Sequence, residues 1–556
     1  MQMASGKRIL IVGGVAGGAS CAARARRLSE EAEIIMFEKG PFVSFANCGL
    51  PFHIGDVIEK EEALMVASPQ LFKERFNVDV RVNSEVVSID RRNSEIAVKD
   101  LSSGETYTEK YDALVLSPGA APVRLPIPGI DLPGVFTLRN IPDTRRIREW
   151  VSANGSNRAL VVGGGFIGLE MTENLVKRGL TVTIVEAQSH VMPALDPEMV
   201  SPVHSELKRC GVSLRLGESV TGFQSMPDGS IRAGLASGGE EQADIVIVCV
   251  GVRPETKLAR EAGLEIGELG GIRVDSRMRT SDPAIWAVGD AVEVRDFITG
   301  GWTLIPLAGP ANRQGRVAAD VILGRDREFR GVQGTAVCGV FDVTVASTGL
   351  SEKTLKRLGL WKQDYEKIYL HPGHHALYYP GARTISLKLI FSKKDGRIIG
   401  CQAAGKEGVE KRVDVISMAI QSNRTVFDLE EAELCYAPQY GSAKDPVNMA
   451  GMIAANVLRG DSSIAQWDEI ASAAPFVLDV RDVKEFGKGH VEQAVNIPLD
   501  QLRTRMNEVP GDRDVWAYCL VGQRSYYAMR LLSQNGFNVK SISGGYRTFL
   551  AAKGGK

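Results

Sequence analysis

Two separate stretches of the chain follow one grammar. "KRILIVGGVAGGAS" (Lys7 to Ser20) and "RALVVGGGFIGLEM" (Arg158 to Met171) each run from apolar, β-branched residues into a glycine cluster and then into a helix start. That order admits few folds: a buried strand, a tight turn, and a helix whose N-terminus sits at the turn. Glycines at the junction let backbone N–H groups approach a pyrophosphate at the positive end of the helix. The second stretch carries Gly163, Gly165 and Gly168 on the G-x-G-x-x-G spacing. The first departs from it, with Val15 in the middle place among Gly13, Gly14, Ala16, Gly17 and Gly18.

Each stretch is followed by a strand that ends in an acid. "EIIMFE" closes on Glu38, with Lys39 next, and "TVTIVE" closes on Glu186. A carboxylate there can hold the two ribose hydroxyls of an unphosphorylated adenosine. "AQSH" after Glu186 offers no arginine for a 2′-phosphate, so NADH is expected over NADPH. A turn that binds nothing also tolerates glycine. Two copies, each with its strand and acid in place, argue for nucleotides.

At 556 residues the chain is too long for one core, and about three or four units are expected. A net charge of −1 gives no reason to expect nucleic acid or an anionic membrane as partner. No apolar run approaches a membrane span, and the N-terminus passes straight into a strand without a signal-peptide core. Eight scattered cysteines suit a reducing compartment better than a disulfide framework, so a cytoplasmic protein is expected.

A third segment, "TSDPAIWAVGDAVE" (Thr280 to Glu293), places Asp290 behind a strand and a glycine. With it the chain resembles the two-dinucleotide-binding flavoprotein disulfide reductases. The resemblance implies an α/β architecture of two Rossmann-like domains, the NAD domain inserted in the FAD domain, then an α+β dimerisation domain. It implies FAD binding by residues 1–117 and 245–328, NADH binding by 118–244, and a homodimer formed through 329–458. "LVLSPGA", with Ser117 and Gly119, and "IVCVGVRPE" resemble the two crossover strands. Pro306, Leu307 and Ala308 open a helix whose N-terminus faces the flavin in this family.

"SFANCGLPF" (Ser44 to Phe52) holds a lone cysteine, with no second one three or five residues away. It resembles the single-cysteine branch of the family: coenzyme A-disulfide reductases, NADH oxidases and peroxidases, and persulfide reductases. Its partner could be oxygen, a distant cysteine, or a small thiol. Peroxide-reducing relatives carry a histidine where Ala16 stands, and alanine donates no proton. Ser20, Arg24 and Arg27 are spaced to share one helix face. An arginine pair is commonly a solvated face, but it also suits the phosphates of coenzyme A. The resemblance implies that this face contacts coenzyme A, together with Ser44 and Asn47, and that Asn312 lines the same pocket. "LCYAPQYGSAKDPVN" resembles the coenzyme A-binding part of the dimerisation domain, which implies that Tyr436 reaches the flavin site of the other subunit and that Lys444 contacts the ligand's phosphates. "YYPGA" resembles the segment giving a second tyrosine, Tyr378 or Tyr379. Of these two Tyr378 is taken as the candidate. A phenol there can protonate or hydrogen-bond a leaving thiolate. Cys48 is thus expected to rest in mixed disulfide with coenzyme A.

Beyond "VLRGDSSIAQ", read as a polar linker, residues 466–556 resemble an α/β rhodanese domain. "FVLDVRDVKEF", "GHVEQAVNIP" and "AYCLVGQRSYYAMRLL" carry the resemblance. The last reads as a strand, a six-residue loop from Cys519 to Arg524, and a helix. A helix end stabilises a thiolate by about 2 kcal/mol at most, so loop amides and Arg524 are expected to contribute too. "HPGHH" (His371 to His375) is read as a surface loop, and no metal is expected.

The combined reading is an FAD enzyme that uses NADH to reduce persulfide, polysulfide or coenzyme A persulfide to sulfide. The freed Cys48 thiolate attacks the substrate's sulfane sulfur, while Cys519 relays sulfur. Alternatives are a coenzyme A-disulfide reductase, an NADH oxidase, and a rhodanese-type sulfurtransferase with a regulatory flavoprotein.

Overall fold

The computed structural model describes residues 6–153, 155–361 and 363–554; the first five residues, read above as leading into a strand, lie outside them. The chain forms two compact units, Met1–Val185 with Glu218–Gln333, and Glu186–Gly217 with Gly334–Lys556. Among the described residues no helix is long and apolar enough to cross a membrane.

The first unit contains two parallel sheets. In one the strands run in the order Ile285–Ala287, Ala113–Leu116, Arg8–Val12, Glu33–Phe37 and Asp79–Arg81. Leu10 lies between Ile35 and Leu114, and Ile9, Leu10 and Ile11 are fully buried. Burial on both faces explains why "RILIV" is continuously apolar rather than alternating. The chain leaves this sheet after Leu116 and returns at Ile285. Between those points Thr181–Glu186, Arg158–Val162, Ile245–Val248 and Val135–Phe136 form a second parallel array in that order. An antiparallel pair, Ala120–Pro122 with Val252–Pro254, makes the passage out and back. One Rossmann-like fold is therefore inserted in the other.

The second unit holds a five-stranded antiparallel sheet, ordered Ala336–Val340, Val343–Gly349, Ile398–Gly405, Ile385–Ser392 and Tyr365–Leu370. It also holds a parallel sheet ordered Ile464–Ala465, Val539–Ile542, Val515–Tyr518, Phe476–Asp479 and Val495–Asn496. The segment read as a linker is thus partly structured, since Ile464–Ala465 is the edge strand of that sheet. The two sheets are also joined. The Tyr369 N–H donates to Ser543 Oγ at 2.9 Å, and Gln466 Nε2 donates to the Lys367 carbonyl at 2.9 Å.

A buried ionic cluster sits beneath Tyr365–Leu370. Lys388, fully buried, meets Asp196, Glu198 and Glu352 at 2.8, 2.6 and 2.7 Å. Lys367 reaches Glu352 at 2.9 Å, and Tyr369 donates to Glu198 at 2.6 Å. Burial alone would raise the Glu352 carboxyl, but Lys388 and Lys367 hold it well below the usual range. The three carboxylates converge closely enough for a metal, and here they surround the Lys388 ammonium.

Candidate active sites on the two units

The first glycine loop is shaped by contacts that exclude any side chain. A Cβ on Gly13 (φ +93°) would stand 2.1 Å from the Ser117 carbonyl oxygen, and one on Gly18 would stand 1.9 Å from the Gly13 oxygen. The second loop repeats the geometry, with Gly163 (φ +105°) and a Gly168 Cβ position 2.0 Å from the Gly163 oxygen. Gly18 is therefore the counterpart of Gly168, and Val15 occupies the place of Gly165. Those two residues cap Ala16–Arg26 and Phe166–Lys177 respectively. A Cβ on Gly165 would touch nothing within 4 Å, so the space at that helix N-terminus is clear for a pyrophosphate.

Glu38 accepts N–H groups from Gly14 and Gly40, both at 2.9 Å, which fixes its carboxylate at the edge of the first loop. Lys39 is exposed and pairs with Glu85 at 2.7 Å. Ser117 Oγ accepts from the Gly18 N–H at 3.1 Å. Gly119 and Gly289 both take positive φ, and the Gly289 N–H donates to Gln314 Oε1 at 2.7 Å. Burial raises the Asp290 carboxyl beside it. Pro306 and Leu307 lead into the helix Ala308–Ile322, whose Gly315 packs so closely that a Cβ would stand 2.2 Å from the Gly17 oxygen. Glu186 ends its strand and accepts the Gln188 N–H at 2.8 Å.

Cys48 stands on the single turn Asn47–Gly49 and is exposed, as is Asn47. The turn is tied to the first glycine loop, because the Ser44 N–H donates to the Gly14 carbonyl at 2.8 Å. Ser44 sits in the left-handed region (φ 46°), which costs on the order of 1 kcal/mol. That conformation lets its carbonyl accept from both Val66 and Ala67. Although the residue is exposed, neighbouring groups partly desolvate its thiol, which pushes it up first, followed by the negative charges of Glu170 and Asp290.

Glu170 is a residue that the sequence reading missed. It lies on Phe166–Lys177, and burial together with Glu173 pushes its carboxyl up to about 7. A signal was present: it is the lone acid in the apolar run "GFIGLEM" directly behind the glycine loop.

The face proposed for coenzyme A is divided. Ser20 hydrogen-bonds Asn312, whose Nδ2 also donates to the Ala308 carbonyl at 2.9 Å. Arg24 is not a free cation, since its Nη2 meets the buried carboxylate of Asp320 at 2.7 Å. Arg27 is exposed.

On the second unit the hydroxyls of Tyr378 and Tyr436 lie 2.7 Å apart, and both residues are exposed. Their hydrogen bond raises the Tyr378 phenol. Tyr379 is engaged elsewhere, with its ring edge-on to His375 and its carbonyl 3.2 Å from His375 Nε2. The "HPGHH" reading needs correction, because His374 and His375 are buried. The Arg383 N–H donates to His374 Nδ1 at 2.9 Å, which leaves Nε2 to donate to His375 Nδ1 at 2.7 Å. Arg412, 1% exposed, donates to the His374 carbonyl and to Asp445, the N-cap of Pro446–Leu458, at 2.7 and 2.8 Å. One guanidinium thereby anchors the Tyr378 loop and the segment carrying exposed Lys444.

Cys519 is 1% exposed at the end of Val515–Tyr518, and the Gly522 N–H donates to its Sγ at 3.2 Å. Gly522 takes φ +100° and caps the helix Gln523–Ser533. Arg524 is not available to the sulfur alone, because Glu485 holds it in a two-point ion pair at 2.6 and 2.8 Å. Asp479 and Arg481 form a buried clasp that also reaches the Gly489 carbonyl.

Residues 7–315 match the pyridine nucleotide-disulphide oxidoreductase model, 335–445 its dimerisation domain, and 465–552 the rhodanese-like domain. A coenzyme A disulfide reductase of Staphylococcus aureus (strain bovine RF122 / ET3-1) is 36% identical over 80% of this chain and 99% of its own. The crystal structure of reduced Bacillus anthracis CoADR-RHD is similar at a TM-score of 0.96 and 48% identity, covering 99% of each chain. That of an NAD-dependent persulfide reductase from A. fulgidus is similar at 0.90 and 37%, covering 98% of this chain and 100% of that one. The chain belongs to the pyridine nucleotide-disulphide oxidoreductase family and carries a C-terminal rhodanese-like domain.

Proposed function

We propose that the protein is a homodimeric NADH- and FAD-dependent reductase of persulfides, with coenzyme A persulfide and polysulfide as its substrate class. The observation that carries the reading is the exposed Cys48, tied to the first glycine loop in a chain none of whose eight cysteines is joined in a disulfide. A redox thiol with no cysteine partner exchanges with a thiol from outside. The relatives named for coenzyme A disulfide and for persulfide supply the chemistry of that partner.

The residues of the first loop, with Glu38, Lys39, Ser117, Gly119, Asp290 and the helix start at Pro306–Ala308, would hold FAD. Gly163, Gly165, Gly168 and Glu186 would hold NADH. When bound, the flavin supplies an electron pair taken from NADH as hydride. The chain's own residues do the rest. The Cys48 thiolate attacks the carbon-bearing sulfur of a coenzyme A persulfide, so that sulfide leaves and Cys48 is left in mixed disulfide with coenzyme A. This differs from attack at the sulfane sulfur, which would leave a persulfide on Cys48 and release no sulfide in that step. Two electrons then cleave the mixed disulfide and restore both thiols. Coenzyme A disulfide can follow the same path, with coenzyme A in place of sulfide as leaving group.

Glu170 holds a proton near neutral pH beside Cys48, where thiolate charge appears and disappears. Tyr378 and Tyr436 present a hydrogen-bonded phenol pair suited to a leaving thiolate. Ser20, Ser44, Asn47, Arg27, Asn312 and Lys444 are the candidate contacts for coenzyme A, and Cys519 supplies captured sulfur. NADH consumption against coenzyme A persulfide, polysulfide, coenzyme A disulfide and oxygen tests the assignment. Persulfides should turn over fastest; oxygen as the best acceptor would overturn it. Glu186 repels a 2′-phosphate, so kcat/KM should favour NADH over NADPH, and equal use would show that Glu186 does not read the ribose.

A further inference from the structure

Arg524 is the one cation within the six-residue loop from Cys519, its charge acts on the Cys519 sulfur, and it is already paired. Both terminal nitrogens of Arg524 donate to Glu485, Nη1 to Oε2 at 2.6 Å and Nη2 to Oε1 at 2.8 Å. Glu485 is itself fixed in place. It is the third residue of the helix Val483–Gly487, its N–H donates to Asp482 Oδ1 at 2.9 Å, and its carboxylate accepts the Asp482 N–H at 3.3 Å. Asp482 adds a second negative charge near Arg524. Two further arginines lie near the loop. Arg481 pairs with Asp479, and Arg547 gives its backbone N–H to the Leu520 carbonyl while its charge acts on His371.

A guanidinium recognises oxyanions through paired N–H groups in a planar fork. Thiosulfate presents a charged sulfonate that such a fork can hold as it leaves as sulfite dianion. A carbon-bound persulfide offers no such oxyanion, and its leaving group is a thiolate with one charge.

We propose that Glu485 is a specificity-determining residue that occupies Arg524 and so turns the Cys519 loop from sulfonate-bearing donors toward carbon-bound persulfides. The inference rests on reading Cys519 as a sulfur acceptor. With thiosulfate, the Cys519 thiolate would form an Sγ–S bond as the sulfane–sulfonate bond breaks, and sulfite would leave with the electron pair. With R–S–SH, the same Sγ–S bond forms while R–S⁻ leaves with the pair. In either case cyanide can take the outer sulfur as thiocyanate and restore the thiolate.

The test uses the full chain with Cys48→Ser, so that only Cys519 reports, with thiosulfate or 2-hydroxyethyl persulfide as donor and cyanide as acceptor. Glutamine can keep the third-residue cap but removes the charge. In Glu485→Gln the kcat/KM for thiosulfate should rise about tenfold relative to the persulfide, and the gain should shrink as salt is added. An unchanged or lower ratio with the persulfide rate retained overturns the inference. A second measurement needs no change at Glu485. Millimolar sulfate should fail to compete with the persulfide, and competitive inhibition would overturn the inference. Cys519→Ser should lose both donors. Activity retained there would overturn the acceptor reading and this inference with it.

Discussion

At the residue scale, the surroundings of a few groups set their proton affinity. Glu170 has its carboxyl raised to about 7, so it binds more protons folded than unfolded between its ordinary range and neutrality. Its contribution to stability therefore falls as pH rises through that window, and Glu170→Gln should stabilise the protein at pH 8 by roughly 1–3 kcal/mol while leaving pH 4 unchanged. The same substitution should remove a kinetic step near pH 7 from the kcat profile; a profile that keeps the step assigns it to another group. Tyr378→Phe and Tyr436→Phe should each lower kcat by about tenfold or more, with a smaller change in KM, if a phenol protonates the leaving thiolate. An effect confined to KM would make the pair a binding contact only. Cys48 was legible from its isolation in "SFANCGLPF", and its neighbours Ser44 and Asn47 from the same motif. Glu170 was not read, because its raised carboxyl depends on burial that a linear sequence does not display.

At the element scale, the glycine loops were legible because a missing Cβ leaves a direct mark in sequence. Gly168→Ala should abolish saturable NADH binding while the flavin spectrum persists, since the added carbon would stand 2.0 Å from the Gly163 oxygen. NADH titration of the oxidised protein reads this, and unchanged affinity would remove the second loop from the nucleotide site. Val15 disguised the first loop, yet the paired contacts of Gly13 with Gly18 and of Gly163 with Gly168 show one geometry twice. Two readings failed for a common reason. "HPGHH" looked like a polar loop, but Arg412, far away in sequence, draws the His374 carbonyl inward. Ile464–Ala465 looked like a linker, but a parallel strand is completed only by its distant partner, Ser541–Ile542. Contacts between remote segments decided both, and local composition does not encode them.

At the scale of the whole molecule, the rhodanese-like sheet and the antiparallel sheet are hydrogen-bonded parts of one unit. They should melt in a single calorimetric transition, and two well-separated transitions would show that the docking is weak. Cys519→Ser should spare small substrates that reach Cys48 directly and impair those captured first by the rhodanese loop. If all sulfur substrates are unaffected, the C-terminal domain is no relay. The resting protein should also release coenzyme A only after a thiol is added to the denatured chain. In the proposed cycle electrons from NADH reach sulfur through Cys48, and NADH-dependent sulfide release by Cys48→Ser decides whether they do. With flavin bound and coenzyme A persulfide as substrate, the rate should fall by at least about 10³-fold; sulfide release at the wild-type rate would contradict the account.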